Sequence, residues 1–353
     1  MRIVVTGGAG FIGSEYVRTI VRGDVPTLAD AQIVVFDQLT YAGNLANLAP
    51  VADSPRYEFF HGDICSAADL DAVLPGADVV VNFAAETHVD RSIADAAGFI
   101  ATNVLGAGTV FDACVRHRVG RVVHVSTDEV YGSIETGSWT EDEVLAPNSP
   151  YAAAKAGGDL IARAYARTYG LNVSVTRGSN SYGPYQYPEK IVPLFLTNLL
   201  DHRPVPLYGT GANVRDWLHV SDHCRGIQIV LEHGAAGEMY NVGGGRELSN
   251  RELTEHLLEA TGRDWSSVAE VTDPRGGAHD QRYAVDYAKV AALGYAPSIS
   301  FDDGLARTAR WYREHRDWWE PLTDKLRVAT VPAVGDKSSG ARADPALSFD
   351  GAN

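Results

Sequence analysis

Cysteine is scarce in this chain, since only Cys65, Cys114 and Cys224 occur among its 353 residues. Three cysteines cannot form a disulfide framework, and no two of them have the Cys-x-x-Cys spacing of a redox or zinc site. We therefore expect reduced, buried thiols in a cytoplasmic protein, and no metal site.

Basic residues are also in short supply. The chain has 30 lysines and arginines against 45 aspartates and glutamates, which gives a formal net charge of −15. Nucleic-acid-binding proteins usually present a basic face, so this balance predicts that nucleic acid is not a partner. An anionic small molecule would have to bind where the few cations are concentrated.

Long apolar runs are missing as well, since none approaches the roughly 18 residues that span a bilayer. The sequence enters a predicted strand directly after Met1, without the regions of a secretory signal. We therefore expect no membrane partner. Hydrophobic residues make up 45 % of the chain, which is typical of a core-forming protein with, by its length, about two domains.

Short β-branched runs alternate with helical stretches in the first half of the chain. The candidate strands are Arg2–Thr6, Gln32–Asp37, Tyr57–His61, Asp78–Phe83, Arg121–Ser126 and Asn172–Thr176, and the candidate helices include Ile12–Val21, Ala67–Leu74, Gly106–Arg116 and Tyr151–Tyr169. Several of the strands are apolar throughout, as in strands buried on both faces of a parallel sheet. The alternation predicts an α/β fold with a doubly wound, parallel Rossmann-type sheet.

From about residue 180 onward, Gly, Pro and Tyr are frequent and the predicted strands are short. The candidate elements there are the strands Val205–Tyr208 and Glu238–Val242 and the helices Asn250–Thr261 and Phe301–His315. We assign residues 1–179 to the Rossmann domain and 180–322 mainly to a smaller C-terminal lobe that is partly interleaved with it. Residues 323–353 have the small, polar composition of a disordered tail.

A glycine-rich segment, Thr6–Gly13, joins the first predicted strand to the first predicted helix. Its glycines meet the G-x-G-x-x-G spacing, which permits a tight turn and close approach of the backbone to a dinucleotide pyrophosphate at the helix N-terminus. A purely structural turn is the alternative. The position between a strand and a helix favours the dinucleotide site.

Acidic and small residues end the following strands. Asp37 closes the second strand, where a carboxylate accepts hydrogen bonds from an adenosine ribose and repels a 2′-phosphate, which favours NAD over NADP. A turn-forming aspartate is the alternative interpretation. Asp63 and the pair Ala84-Ala85 also follow strands, and by themselves they are only strand-end residues.

Tyr151 and Lys155 open a long predicted helix with the spacing Y-x-x-x-K. Residues four apart lie on one helical face. An unperturbed phenol is a poor base at neutral pH, but a neighbouring ammonium and a cationic nicotinamide ring would lower its pKa. Tyr151 is therefore a candidate base for a sugar hydroxyl, a pattern typical of short-chain dehydrogenase-like enzymes.

Two adjacent carboxyl groups, Asp128 and Glu129, follow Ser126 and Thr127 at the end of the fifth predicted strand. Adjacent acidic residues in a loop are most often only solvated. The carboxyl ends of parallel strands are, however, where ligands bind in open α/β sheets. A carboxylic acid beside a carboxylate supplies the acid and the base that an elimination needs.

These motifs together resemble the dTDP-glucose 4,6-dehydratases, which are extended short-chain dehydrogenase/reductases. The resemblance covers Met1 to about Leu322 and depends on TGGAGFIG (6–13), LTYAGN (39–44), AAETHVDRS (84–92), STDEVYG (126–132), NSPY (148–151), YGPY (182–185) with PEK (188–190), and RDW (215–217). STDEVYG is the specific element, because related sugar 4-epimerases and decarboxylases usually lack the Asp-Glu pair. Within the family, the sequence is similar to the actinobacterial antibiotic-sugar branch.

The resemblance implies a reaction in three stages on tightly held NAD. Tyr151 would deprotonate the glucose 4-hydroxyl as hydride leaves C4, with Thr127 hydrogen-bonded to the 4-oxygen and Lys155 holding the nicotinamide ribose. Glu129 would then remove the C5 proton while Asp128 protonates the departing 6-hydroxyl. Return of hydride to C6 would give a 4-keto-6-deoxy sugar.

The resemblance also implies the binding residues. For the cofactor they are Gly7, Gly10, Phe11, Ile12, Gly13, Asp37, Gln38, Leu39, Thr40, Asp63, Ile64, Phe83, Ala84, Ala85, Thr102, Tyr151, Lys155 and Ser181. For the nucleotide sugar they are Thr87, Thr127, Asn180, Lys190, Ile191, Pro206, Tyr208, Arg215, Asn250, Arg275 and His279. Lys190 and Arg215 are suited to the pyrophosphate.

Three positions depart from the family pattern. Ser181 stands where the family usually has the second Asn of Ser-Asn-Asn, near the nicotinamide amide, and a hydroxyl cannot offer the paired pattern of an amide. The turn from Asp273 to Asp280 is longer than usual and has Arg and Pro exchanged, and Tyr151 is followed by three alanines. These changes affect the expected affinity more than the expected reaction.

Two other functions stay open at this point. A nucleotide-sugar 4-epimerase would share the hydride transfer at C4, but it would have no use for Asp128 and Glu129. A catalytically silent NAD-binding regulator would not need the intact Tyr151 and Lys155. From the family we also expect a homodimer formed through the helices Gly106–Arg116 and Tyr151–Tyr169, although an apolar stripe equally suits packing on the sheet.

Overall fold

The structure is a computed structural model that describes residues 1–276 and 279–330, with side chains up to residue 326. Its strands are β1 (Arg2–Thr6), β2 (Gln32–Asp37), β3 (Tyr57–His61), β4 (Val79–Asn82), β5 (Arg121–Thr127), β6 (Val173–Gly178), β7 (Asn180–Tyr182), β8 (Val205–Tyr208), β9 (Val214–His219), β10 (Met239–Val242), β11 (Glu247–Ser249) and β12 (Val268–Val271). Its helices are α1 (Phe11–Arg22), α2 (Ala67–Val73), α3 (Val89–Ala94), α4 (Ala96–Ile100), α5 (Ala107–Arg116), α6 (Pro150–Tyr169), α7 (Ile191–Leu200), α8 (Val220–His233), α9 (Asn250–Thr261), α10 (Ala288–Ala291), α11 (Phe301–Glu314) and α12 (Arg316–Thr330).

Seven parallel strands form the main sheet in the order β10-β6-β5-β4-β1-β2-β3. This confirms the predicted doubly wound Rossmann-type fold. The first three strands begin and end where the sequence predicts, because their Val, Ile and Phe runs are bounded by polar residues. One apolar layer packs on the face covered by α1 and α8, and another on the face covered by α2, α5 and α6.

Two segments of the second half belong to the main sheet rather than to the smaller lobe. Strand β10, expected as Glu238–Val242 in the lobe, pairs in parallel with β6, with Met239 opposite Val175. Helix α8 packs against α1 and against β5 and β6. The two parts of the chain therefore interleave at this edge.

The smaller lobe has its own core. It contains the three-stranded sheet β11-β9-β7, the parallel pair β12-β8 and the helices α7, α9, α11 and α12. Phe195, Leu253 and Trp319 are buried where these helices meet.

Helix α12 runs to Thr330 and so passes residue 322, where we expected the lobe to end and a disordered tail to begin. Trp319, Leu322 and Thr323 are buried at the i, i+3 and i+4 positions of one helical face, so the packed surface continues beyond the expected boundary. The rest of the expected tail, residues 331–353, lies outside the described residues.

Helix α6, which carries the candidate base Tyr151, has clear capping residues at both ends. The side chain of Ser149 accepts a hydrogen bond from the Ala152 N–H at 3.1 Å, Pro150 occupies the first turn, and Gly170 ends the helix at φ 68°. These signals place Tyr151 in the first turn and Lys155 one turn later.

Candidate functional site

A cavity of about 430 Å³ lies between the carboxyl ends of the main-sheet strands and the smaller lobe. Every residue that we predicted to bind cofactor or substrate lines it, with the exception of Leu39. Leu39 adopts φ 54° and packs against the core, and its N–H donates to the Asp37 carboxylate at 2.8 Å. Leu39 therefore supports the site through its backbone N–H, which holds the Asp37 carboxylate.

The glycine segment at one end of the cavity leaves no room for a side chain at Gly7 or Gly13. Gly7 has φ 65°, and a Cβ on Gly13 would lie 2.4 Å from the carbonyl oxygen of Gly7. The first turn of α1 has no side-chain cap in the described structure. Its backbone N–H groups and the positive end of the helix dipole therefore suit a phosphate, and the segment fits a dinucleotide.

Asp37 is held at the end of β2 by two backbone donors. Its carboxylate accepts from the Ala9 N–H at 2.9 Å and from the Leu39 N–H at 2.8 Å. Burial raises the pKa of the Asp37 carboxyl, while these N–H groups oppose the shift. Each carboxylate oxygen keeps a second lone pair, so Asp37 can also accept from a ribose hydroxyl.

The predicted acid–base pair lies in a single 3₁₀ turn, Asp128–Tyr131, that directly follows β5. Thr127 caps this turn, since its Oγ1 accepts from the Glu129 N–H at 3.2 Å. The same hydroxyl donates to Asp128 Oδ1 at 3.2 Å, and among the described residues Asp128 Oδ2 is buried without a partner. The turn therefore fixes both carboxyl groups at the cavity wall.

The two carboxyl groups have different electrostatic surroundings. Burial raises the pKa of Asp128 well above its ordinary value, and Glu129 and Asp216 raise it further. Burial also raises the pKa of Glu129, but three cations, Lys190, Arg215 and Arg275, oppose that rise. Asp128 is thus favoured as the protonated acid and Glu129 as the carboxylate.

Tyr151 and Lys155 both line the cavity from α6. Burial raises the pKa of Tyr151 well above its ordinary value, Glu129 adds to the rise, and a hydrogen bond with Thr127 opposes it. The Lys155 Nζ donates to the Val125 carbonyl oxygen at 2.7 Å, and burial lowers the pKa of Lys155 to about 8. The chain's own groups, burial and the carboxylates of Glu129 and Asp128, therefore raise the Tyr151 pKa, and the expected lowering depends on the cationic nicotinamide ring.

The smaller lobe contributes cations to the opposite end of the cavity. Lys190 Nζ donates to the carbonyl oxygen of Thr87 at 2.6 Å. Arg215 donates to the Asp280 carbonyl oxygen at 2.9 Å and lies 4.3 Å above the Tyr283 ring. Both cations are held by contacts within the chain, which reduces the side-chain entropy that they would lose on binding an anion.

Arg275 crosses the mouth of this end of the cavity. Its Nε donates to Asp90 Oδ1 at 2.5 Å, and its guanidinium lies 5.9 Å from the Tyr208 ring. His279 is hydrogen-bonded to Asp273. The expected turn from Asp273 to Asp280 therefore brings both Arg275 and His279 to the cavity, and its residues 277–278 lie outside the described residues.

Ser181 has a partner that the sequence does not reveal. Its Oγ lies 2.8 Å from Nδ1 of His223, which also lines the cavity. Burial lowers the pKa of His223 to about 4, so the ring is neutral at physiological pH. The departure from the family asparagine therefore gives a serine–histidine pair at this position.

Sequence reasoning also missed a charged cluster that reaches the cavity through Glu189. Glu189 accepts a hydrogen bond from the Tyr41 hydroxyl at 3.0 Å and pairs with Arg91 at 3.3 Å, and Arg91 lies 3.7 Å above the Tyr41 ring. All three residues occur in motifs that carry the family resemblance, so their presence in those motifs could have pointed to the cluster. In the described part of the chain, no three His, Cys, Asp or Glu side chains are grouped so that they could hold a metal ion.

Comparisons with known proteins agree with this geometry. A family model described as GDP-mannose 4,6 dehydratase matches residues 4–308. A dTDP-glucose 4,6-dehydratase from Streptomyces niveus is 57 % identical over 323 residues, which is 91 % of this chain and 96 % of that relative.

Solved structures extend the comparison. DesIV, a dTDP-glucose 4,6-dehydratase from Streptomyces venezuelae solved with NAD bound, is 61 % identical and matches with a TM-score of 0.90, covering 91 % of this chain and all of that one. A UDP-glucose 4-epimerase from Thermotoga maritima is 30 % identical with a TM-score of 0.81, covering 89 % of this chain and 99 % of that one. The identity to dehydratases over nearly whole chains confirms the resemblance drawn from the motifs, and this chain belongs to the dTDP-glucose 4,6-dehydratase family.

Proposed function

We propose that this chain converts dTDP-glucose to dTDP-4-keto-6-deoxyglucose with NAD as its cofactor. The observation that carries the proposal is the Asp128–Glu129 turn, in which two adjacent carboxyl groups with different charged neighbours lie in the same cavity as Tyr151. An enzyme that only epimerises C4 has no use for this pair. The NAD-bound relative DesIV and the fit of the glycine segment support the cofactor.

The first task of the chain is to take the proton of the sugar 4-hydroxyl. Tyr151 is the base in this step, and Thr127 bridges Tyr151 and the acid–base turn by hydrogen bonds. NAD, when bound, supplies the acceptor for hydride from C4, a donor for its return to C6 and a cationic ring that favours the Tyr151 phenolate. Lys155 holds the nicotinamide ribose.

The second task is the removal of water across C5 and C6. The ketone formed at C4 acidifies the C5 proton, which Glu129 removes as a carboxylate. Asp128, kept protonated by burial and by its neighbours, protonates the 6-hydroxyl so that it departs as water. A proton therefore leaves C5 and a proton arrives at the leaving oxygen, which leaves a C5–C6 double bond. When hydride returns to C6, C5 takes up a proton, so the double bond is saturated and the C4 ketone survives in the product.

The third task is to hold an anionic substrate in an acidic protein. Three cations line the cavity on the side of the smaller lobe: Lys190, Arg215 and Arg275. The charge of each opposes the rise in the Glu129 pKa that burial causes. The guanidinium of Arg215 suits bidentate contact with the pyrophosphate, and Lys190 acts as a point charge. This local concentration of charge overcomes the net charge of −15.

The test is to incubate the purified protein with NAD and dTDP-, UDP- or GDP-glucose in parallel. We expect dTDP-4-keto-6-deoxyglucose from the first substrate. Glu129→Gln should slow product formation by roughly 10²- to 10⁴-fold because it removes the base. Oxidation at C4 should continue in this variant, so reduced cofactor should accumulate on the protein.

A matched control is Glu143→Gln, at an exposed glutamate beyond the same turn. It should leave turnover unchanged. Absence of a 4-keto-6-deoxy product from all three substrates would overturn the dehydratase proposal. A sugar inverted at C4 would establish the epimerase instead.

We further infer that two copies of the chain associate through α6 and the helical residues 96–116, which include the expected helix Gly106–Arg116. Residues 96–116 form one continuous helical stretch that is long and apolar enough, by length and composition alone, to cross a membrane. Phe99, Val110 and Phe111 bury part of it on this chain's own core. Ile100 and Leu105 remain exposed, with Leu105 at 62 %.

Helix α6 packs directly against residues 96–106 and adds the exposed Leu160, so Ile100, Leu105 and Leu160 define the proposed contact surface. A second copy would cover these exposed apolar side chains. Leu105→Glu should shift the mass measured by light scattering from dimer to monomer. Val144→Glu, at an exposed valine outside this surface, should not shift it.

The three cysteines are all free, which supports a reducing, cytoplasmic environment. The product is a precursor for deoxysugar biosynthesis. The antibiotic-sugar branch of that chemistry stays a prediction from the sequence resemblance.

A further inference from the structure

A buried polar network lies behind the catalytic wall of the cavity. Arg177, on β6, donates from Nε to Asp159 Oδ2 at 2.9 Å and from Nη1 to the Tyr131 hydroxyl at 2.7 Å. The Tyr131 hydroxyl in turn donates to Asn241 Oδ1 at 2.8 Å. These four side chains are at most 4 % exposed.

Each end of this network belongs to an element that carries catalytic groups. Asp159 lies on α6, one turn after Lys155 and two turns after Tyr151. Tyr131 is the last residue of the 3₁₀ turn that begins with Asp128 and Glu129. Arg177 therefore connects the helix used for oxidation at C4 with the turn used for the elimination.

The network is anchored from outside as well. Asn241, on β10, donates from its side chain to the carbonyl oxygens of Trp139 at 3.0 Å and of Asp286 at 3.1 Å. The Tyr131 ring stacks on Trp139 with centroids 6.1 Å apart. Tyr131 is thus fixed both at its ring and at its hydroxyl.

Stability alone does not explain this arrangement. Buried ion pairs are often replaceable by apolar side chains without loss of stability, because desolvation of both charges offsets their attraction. Within the described residues, Asp159 Oδ1 is buried without a hydrogen-bond partner, so the network is not optimised for stability. A planar guanidinium that contacts two elements at once is, in contrast, well suited to fixing their relative position.

We propose that Arg177 and Tyr131 are positioning residues that hold the Asp128–Glu129 turn in register with Tyr151 and Lys155. The inference deepens the proposed function and depends on it. The relative position of the turn and of Tyr151 matters only if one bound sugar must react first with Tyr151 and then with Glu129 and Asp128. A displacement of about 1 Å at a reacting centre costs on the order of 100-fold in rate. Neither residue touches the sugar in this role.

The main test is Tyr131→Phe, which removes one hydroxyl and keeps the ring stacked on Trp139. Its matched control is Tyr295→Phe, which removes a buried hydroxyl that donates to the Gly243 carbonyl oxygen at 3.0 Å, outside the cavity lining. Both variants should unfold at similar temperatures. Only Tyr131→Phe should lower kcat, by about 10- to 100-fold, with KM nearly unchanged.

Deuterated substrates identify the step that slows. In Tyr131→Phe, deuterium at C5 should slow turnover at least as much as it slows the wild type, whereas deuterium at C4 should slow it less. A purely structural role would leave both isotope effects as they are in the wild type. Arg177→Lys keeps the positive charge beside Asp159 but loses the planar guanidinium that reaches both Asp159 and Tyr131. It should therefore fold and show the same loss of kcat and the same isotope effects as Tyr131→Phe.

Equal kcat values for Tyr131→Phe and Tyr295→Phe would overturn the inference, as would a larger C4 isotope effect in Tyr131→Phe. The double variant Tyr131→Phe/Arg177→Lys should be little slower than either single variant, because both interrupt one connection. Fully additive losses would also overturn it. If the wild type itself makes no 4-keto-6-deoxy sugar, the proposed function fails, and this inference fails with it.

Discussion

The two ends of the cavity are built for anions by opposite means. At the glycine end, backbone N–H groups of α1 face the cavity, and side chains are excluded because a Cβ on Gly13 would meet the backbone at 2.4 Å. At the lobe end, the charge comes from Lys190, Arg215 and Arg275, each already held by another part of the chain. The first design depends on shape and the second on charge, so substitutions at the two ends should fail differently.

The largest expected effect is at the glycine end. Gly13→Ala places a methyl group against the carbonyl oxygen of Gly7, which is backbone and cannot move aside cheaply. We expect the purified variant to retain almost no NAD and to unfold at a lower temperature. The measurement is the ratio of bound dinucleotide to protein, together with thermal unfolding.

Gly108→Ala is the control for that change. A Cβ there would contact only Ile161 at 3.8 Å, so α5 should gain helix propensity at no steric cost. Retention of NAD by Gly13→Ala at the wild-type ratio would contradict the shape argument.

Between the two ends, Asp128→Asn should separate activity from stability. Loss of the acid should slow turnover by roughly 10²- to 10⁴-fold. The pKa of Asp128 is raised in the folded protein by burial, Glu129 and Asp216, so the folded state binds a proton that the unfolded state has lost. Folding stability contributed by this group therefore falls as pH rises above the ordinary carboxyl range, and it levels off above the folded pKa.

Asparagine cannot ionise, so Asp128→Asn should melt at a higher temperature than the wild type above that range. The difference should close as the pH is lowered toward 4. Thermal unfolding across pH measures it. A variant that is less stable than the wild type at neutral pH would show that the carboxyl group is not held protonated by its surroundings.

At the lobe end, Arg215→Ala should raise KM for dTDP-glucose by about 10- to 100-fold, because a charge-assisted hydrogen bond contributes about 1.5–3 kcal/mol. NAD content should stay at the wild-type ratio. Arg282→Ala is the control, since Arg282 pairs with Glu247 outside the cavity lining. Loss of NAD from Arg215→Ala would show that the lobe end also binds the cofactor, which would contradict the proposed division between a cofactor end and a substrate end.

The smallest expected effect concerns Ser181. Ser181→Asn restores the amide that the family usually has, and we expect NAD to bind about 2- to 10-fold more tightly, the value of one net hydrogen bond. Dissociation constants from calorimetry would test this. Weaker binding by the variant would mean that the Ser181–His223 pair is the better partner in this chain.

Sequence reasoning succeeds where the chain is locally consistent. Strands β1 to β3 and helix α9 match their expected bounds, because apolar runs and the Ser249 capping box mark them within a few residues. The proposed catalytic and cofactor-binding residues lie in short contiguous motifs, and the fold brings almost all of them to one cavity.

Prediction from the sequence fails where contacts between distant segments determine the structure. Helix α7 was not anticipated, because Ile191–Leu200 is apolar on nearly all sides and has no amphipathic period to detect. The strand β10 is part of the interleaving that the sequence predicts in general terms, but only its pairing with β6 reveals which sheet it joins. The pKa of Tyr151 depends on burial and on carboxylates from another element, and no local spacing encodes either.

The late position of β10 in the chain has a consequence for how the protein is made. The six earlier strands of the main sheet are complete by residue 178. The strand that pairs with the free edge of β6, opposite β5, is synthesised only with residues 239–242. Until then β6 is an open edge, and the surface covered by Ile227 and Leu231 of α8 is exposed. A nascent chain therefore cannot finish its Rossmann domain before it has synthesised part of the smaller lobe, and a fragment cut at residue 179 should aggregate rather than fold.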